Sequence, residues 1–111
     1  MKLTSLKKEN NIIIKITDVL KGYLDMSNIQ ELRRLFPKFS ENDSVSVILD
    51  FEKISYIDSS VIGFLVEIFN ERKNAGGTLG FLNVNEKIKN IFELANLTRF
   101  FKIYSSIDEI S

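Results

Sequence analysis

Apolar side chains recur along this chain with two periods, and the switches between them mark its elements. Residues 3–8 and 12–17 are rich in aliphatic and β-branched side chains on either side of Glu9-Asn10-Asn11, which reads as two strands joined by a hairpin-type turn. Gly22-Tyr23-Leu24-Asp25 then leads into a helix over about 26–36. There Met26, Ile29, Leu32 and Leu35 or Phe36 recur at helical spacing and predict one buried face. Asp25 or Ser27 is placed to cap its start, and Pro37 disfavours helix at Phe36 and marks its end. A polar loop is expected over 38–44.

Residues 45–49 are apolar at almost every position and β-branched at three, as expected of a central strand covered on both faces. Asp58 is read as the N-cap of a helix from Ser59 to about Asn74, apolar almost all round, with Glu67, Asn70, Glu71 and Lys73 toward water. Ala75-Gly76-Gly77 stops it, because glycine adopts the left-handed conformation without a Cβ penalty. A strand over 78–82 follows. Asn85 then caps a helix reaching about Leu94, with Ile88, Ile91, Phe92 and Leu94 or Ala95 expected inward. A last strand is expected over 100–104, and Ser106-Ile107-Asp108-Glu109 reads as the first turn of a truncated helix. The order ββαβαβαβ implies an α/β fold with a mixed, mostly parallel sheet of four to five strands packed with helices. With 111 residues, and neither repeats nor an internal linker, a single domain over 1–111 is expected.

Composition narrows the chemistry. Fifteen basic residues balance fifteen acidic ones, so nothing pulls the chain globally toward nucleic acid or an anionic membrane. The lack of cysteine removes disulfide and thiolate chemistry. The lack of histidine removes the commonest general base, the Ser-His pair and most zinc sites. No apolar core follows the basic N-terminal residues, and no apolar run approaches the roughly 20 residues of a membrane span. A cytoplasmic location is expected, without membrane insertion.

The segment Asp58-Ser59-Ser60-Val61-Ile62-Gly63 carries the main chemical possibility. As plain structure it is a well-capped helix start, since Ser and Asp satisfy free amides there. The same physics supports a phosphate on Ser59, at the positive end of the helix dipole, while the like charge of Asp58 opposes it. Asp25 follows the second strand much as Asp58 follows the third, and such loops can converge on one sheet edge. It either caps its own helix or belongs to that site. Asp50, at the end of the apolar strand, raises a phosphoryl-transfer enzyme as a remote alternative. Its partners are missing, however. Receiver domains need an acidic pair after the first strand, where this chain has a lone Asp18, and dehalogenase-type phosphatases want Asp at position 52, here Glu52. The glycines at 76, 77 and 80 lack the spacing and Lys-Ser/Thr tail of a phosphate loop.

Taken together, Ser46-Val47-Ile48-Leu49-Asp50-Phe51, Ile54-Ser55-Tyr56-Ile57-Asp58-Ser59-Ser60-Val61-Ile62-Gly63 and Ala75-Gly76-Gly77 closely resemble STAS domains, in particular the single-domain anti-sigma factor antagonists of bacteria. Gly22-Tyr23-Leu24-Asp25 matches their entry to the first helix, and the run from Ile88 to Leu97 matches their third helix. The resemblance implies a non-catalytic partner switch. The unphosphorylated protein binds an anti-sigma factor that is also a serine kinase. Phosphorylation of Ser59, rather than Ser60, releases it, and a separate phosphatase resets it. ATP and magnesium belong to the kinase, so no cofactor is expected here. The implied contact surface comprises Asp25, Asp58, Ser59, Ser60, Val61 and Ile62. The chain departs from the family pattern at Val61, where glycine is usual, and lacks the proline often found before the third helix, where Val84-Asn85 stands. Bulk at Val61 favours the alternative of a constitutive, unphosphorylated STAS scaffold module within a larger regulatory or transport-associated complex. The remote enzyme alternative would use Asp50 or Asp58.

Overall fold

The computed structural model describes residues 1–40 and 44–110. Its main sheet has five strands: β1 (Lys2–Lys8), β2 (Asn11–Thr17), β4 (Ser46–Asp50), β6 (Leu79–Leu82) and β7 (Lys102–Tyr104), in the spatial order β1-β2-β4-β6-β7. The β1–β2 hairpin is antiparallel, pairing Leu6 with Ile13, and every other pairing is parallel. This is the mixed, mostly parallel α/β sheet that the element order implied.

The period of two decides which side of the sheet each side chain meets. Ile14, Ile16, Val47, Leu49, Leu79 and Phe81 lie in the main core, under helices α1 (Ile29–Leu35), α3 (Ser59–Asn74) and α4 (Glu86–Leu94). The alternate residues Ile13, Ile48 and Leu82 form a smaller cluster on the other face, closed by Ile110 and flanked by Tyr104. The central strand β4 is therefore covered on both faces, as its unbroken apolar run required. The terminal segment forms a single 3-10 turn, Ile107–Glu109, just before Ile110.

Helix α3 is anchored at its far end by contacts that only a small residue and a cation can make. Gly76 turns the chain at φ +92°, and the Gly77 N–H donates to the Arg72 carbonyl at 2.7 Å. Gly77 passes so close to β4 that a Cβ there would lie 2.3 Å from the Val45 carbonyl oxygen. Arg72, nearly fully buried, donates from Nη1 to that same carbonyl at 3.1 Å and pairs with Glu71. The polar face of α3 otherwise runs as expected, with Glu67, Asn70, Glu71 and Lys73 exposed.

Several local expectations change. Helix α1 starts at Ile29, because Met26 to Asn28 form a turn, and Met26 is 77% exposed and absent from the buried face. Pro37 does not end the helical path. Phe36 keeps helical angles, and Pro37–Ser40 forms a further turn, α2, with proline at its first position, where a missing N–H costs nothing. The polar loop expected over 38–44 is thus helical through Ser40, and 41–43 lie outside the described residues. Leu94 is 87% exposed and Ala95 is exposed, so the buried side of α4 rests on Ile88 and Phe92, with Ile91 packed at its edge. The last strand is shorter than expected, because Phe100 lies outside it and Phe101 turns into the core.

Candidate functional site

A second, two-stranded parallel sheet, invisible to periodicity because each strand has two residues, assembles the site. Strand β3 (Tyr23–Leu24) pairs with β5 (Tyr56–Ile57), Tyr23 opposite Tyr56 and Leu24 opposite Ile57. Leu24 and Ile57 are buried in the main core, and the Tyr23 and Tyr56 rings meet edge-on with centroids 5.8 Å apart. The register has one decisive consequence. Asp25 directly follows Leu24 and Asp58 directly follows Ile57, so the two aspartates leave equivalent positions on adjacent parallel strands.

Asp58 is the hub. Its backbone is extended (φ −110°, ψ −176°), as an N-cap requires. Its Oδ1 accepts from the Ser60 N–H at 3.0 Å, the Val61 N–H at 3.3 Å and the Ser60 hydroxyl at 2.6 Å. Its Oδ2 accepts from the Met26 N–H at 3.0 Å, which ties the Asp25 turn to the start of α3. Burial, the largest single influence on this carboxyl, pushes its pKa up. The hydrogen bonds from the Ser60 hydroxyl and the N–H groups of Met26, Val61 and Ser60 together outweigh it and hold the pKa below the ordinary 3.8.

Asp25 works in its own turn. Its carboxylate Oδ1 accepts from the Ser27 N–H at 2.9 Å and from the Ser27 hydroxyl. Its carbonyl accepts from the Asn28 and Ile29 N–H groups at 3.1 and 2.9 Å. Neither Asp25 nor Ser27 is the N-cap of α1. That position is Asn28, whose side chain turns back instead, accepting from the Asp25 N–H at 3.0 Å and donating to the Tyr23 carbonyl at 2.7 Å.

The two serines are placed differently. Ser60 is half-buried and its hydroxyl is engaged on Asp58, whereas the Ser59 side chain is exposed. Ile62 is half-buried at the helix edge and Gly63 is exposed, with nothing within 4 Å of where its Cβ would be. Val61 has no exposed surface and packs in the main core. Its side chain therefore adds no bulk to the surface around Ser59. Two exposed apolar side chains stand near this loop. Met26 (77% exposed), which its helical spacing placed on a buried face, belongs to the turn held by Asp58, and Leu20 (83% exposed) sits on the 3-10 turn Leu20–Gly22 that precedes β3.

Asp50 is engaged elsewhere. It is 9% exposed, and its Oδ1 accepts from the Glu52 N–H and the Asn83 side-chain amide, each at 3.0 Å. Glu52, in the place where the dehalogenase pattern wants aspartate, pairs with Lys15. This carboxylate ties β4 to the loop after β6.

The STAS domain profile matches residues 4–110, and the chain belongs to the STAS domain family. A Thermotoga maritima protein, provisionally named an anti-sigma factor antagonist, is 31% identical over 75 residues, covering 68% of this chain and 66% of that protein, just under two thirds of its length. The anti-sigma-B factor antagonist of Bacillus subtilis is 28% identical over 92 residues, covering 82% of this chain and 79% of its own. The solved STAS domain protein of Planctomyces limnophilus superposes with a TM-score of 0.85 at 16% identity, covering 96% and 92% of the two chains, and so shares the fold. Among the described residues, no helix is long and apolar enough to cross a membrane.

Proposed function

We propose that this chain is a cytoplasmic anti-sigma factor antagonist that binds its partner when Ser59 is unmodified and lets go when Ser59 is phosphorylated. The single observation that carries the reading is the contrast at the start of α3. The Ser59 hydroxyl is open to solvent, while Asp58 and Ser60 are locked together beneath it. A kinase can reach the first serine without dismantling the cap. The partner is an anti-sigma factor with serine kinase activity, which supplies ATP and magnesium, and a phosphatase restores the free form. The role is regulatory binding, in keeping with the names of the Thermotoga and Bacillus relatives.

The contact surface on this reading is Asp25, Asp58, Ser59, Ser60 and Ile62, with Met26 added and Val61 supporting from below. Phosphorylation adds about two negative charges beside the ionised Asp58. Repulsion and desolvation worth ~3 kcal/mol would lower affinity roughly a hundredfold, enough to exchange partners. The alternative of a constitutive scaffold drew its support from bulk at Val61, and that support is gone because Val61 is buried.

The test compares the affinity of wild type, Ser59→Ala and Ser59→Asp for the cognate anti-sigma factor by calorimetry, with phosphosite mapping after incubation with that protein and ATP. Retained binding by the Ala variant, roughly hundredfold loss by the Asp variant and phosphate on Ser59 are expected. Equal binding by all three forms, or phosphate on Ser60 alone, would overturn the reading.

A further inference from the structure

The far half of α3 and the loop between α4 and β7 line a half-open cavity of about 260 Å3. Val66 and Phe69 wall it from the helix, and Leu97, Phe100 and Phe101 wall it from the loop. The Phe69 ring stands edge-on to Phe100 at 5.6 Å and tilted to Phe101 at 6.0 Å, so the three aromatic rings line the space. Phe100 is left 42% exposed, apolar area that a bound molecule would take out of water. The remaining lining groups are Asn70 and Lys73, and among the described residues no carboxylate lines the cavity. Among the described residues, the Lys73 ammonium makes no ion pair and no side-chain hydrogen bond. The Arg99 guanidinium lies over the Phe100 ring at 4.8 Å.

We propose that this cavity binds a small monoanionic amphiphile, a medium-chain carboxylate, with its chain laid along the wall of Val66, Phe69, Leu97 and Phe100 and its headgroup on Lys73 and the Asn70 side-chain amide. The space falls just short of the usual range for small-molecule sites, which suits a small ligand, and it combines an apolar wall with few polar groups, as such sites do. One free ammonium and one amide suit a single negative charge. Lys73 is fourteen residues beyond Ser59 on the same helix, about 21 Å along its axis. The site is thus separate from the Ser59 surface, and its existence does not depend on phosphorylation there.

Sodium octanoate, below its micellar concentration, is titrated into the isotope-labelled full chain and followed by amide chemical shifts, with octylammonium and octanol as charge controls. The expected shifts centre on Phe69, Lys73, Leu97 and Phe100, with octylammonium binding about tenfold more weakly. Lys73→Met, a change at an exposed side chain, should weaken octanoate roughly fivefold and leave octanol unaffected. Equal binding of octanoate and octylammonium, shifts centred elsewhere, or none at millimolar octanoate would overturn the proposal. The same shifts on raising protein concentration without octanoate would assign the cavity to a second copy of the chain and overturn it equally.

Discussion

Replacing Asp58 separates its two structural duties. One oxygen caps α3 through the Ser60 and Val61 N–H groups and the Ser60 hydroxyl, and the other holds the Met26 N–H. Loss of an N-cap costs about 1 kcal/mol, and loss of a hydrogen bond to a charged acceptor about 1 kcal/mol more, since water can reach part of the exposed turn. Asp58→Ala should therefore lose ~2 kcal/mol. At a urea slope of ~1.2 kcal/mol/M for a chain of this size, the unfolding midpoint falls by about 1.7 M. Asp58→Asn presents an acceptor on one side only. Its amide nitrogen must face either the cap or Met26, donor against donor, so roughly half of the loss is expected. The pH dependence fixes the origin. The folded carboxyl lies below its ordinary 3.8, so the stability from its charge is fully present above that value and is lost as pH falls through the folded pKa. The gap between wild type and Asp58→Asn should be flat at neutral pH and shrink in the acid range below 3.8. Urea melts of the three proteins at several pH values measure this. An Asp58→Ala midpoint within about 0.3 M of wild type at neutral pH would refute the assignment of Asp58 as the hub.

Three further outcomes follow from packing. Gly77→Ala must displace the Val45 carbonyl, 2.3 Å from the new Cβ, and should cost more than about 2 kcal/mol, whereas Gly63→Ala meets open space on a helix and should raise Tm by about 3 °C, both read by thermal melts. Phe92→Ala should cost about 4 kcal/mol in chemical denaturation while Leu94→Ser stays within about 0.5 kcal/mol, a gap set by burial and not by hydrophobicity. Val61→Gly, which restores the residue usual in the family, should cost about 3 kcal/mol from lost burial and helix propensity; an unchanged denaturation midpoint would place Val61 outside the core.

The parts of this architecture that were legible in the sequence are those written in long repeats. Ile12 to Ile16, Val47 to Leu49 and the α3 stripe carry their periods over enough residues to set strand, face and order. What escaped was decided by one or two residues against a tertiary partner. The β3–β5 pair is two residues long and exists because Leu24 and Ile57 both reach the core. Met26 fits the helical spacing of Ile29 and Leu32, yet its N–H is claimed by Asp58 thirty-two residues away, and the first turn opens. Pro37 was read as a terminator, but proline is equally suited to begin a turn, and the chain continues helically. At the site, the candidates Asp25, Asp58 and Ser59 were found by pattern, whereas their convergence needed the parallel register of strands too short to be seen.

The position of Val61 shows how a surface argument becomes a core argument once direction is considered. The buried residues of α3 are Val61, Phe64, Leu65, Ile68 and Arg72, so Val61 opens a stripe that recurs three and four residues apart. Ser59 precedes it by two positions, which on an α-helix is about 200° of rotation, and its side chain leaves the opposite side. Volume added at 61 is thus absorbed beneath the helix, against the sheet, and cannot stand between Ser59 and an approaching protein. The residue that shares the Ser59 face is four positions on, and it is Gly63, exposed and with no atom near its missing Cβ. The position beside Ser59 on the helix surface is therefore held by the residue with the least bulk. The valine at 61 puts its own bulk into the core and adds none around the Ser59 side chain.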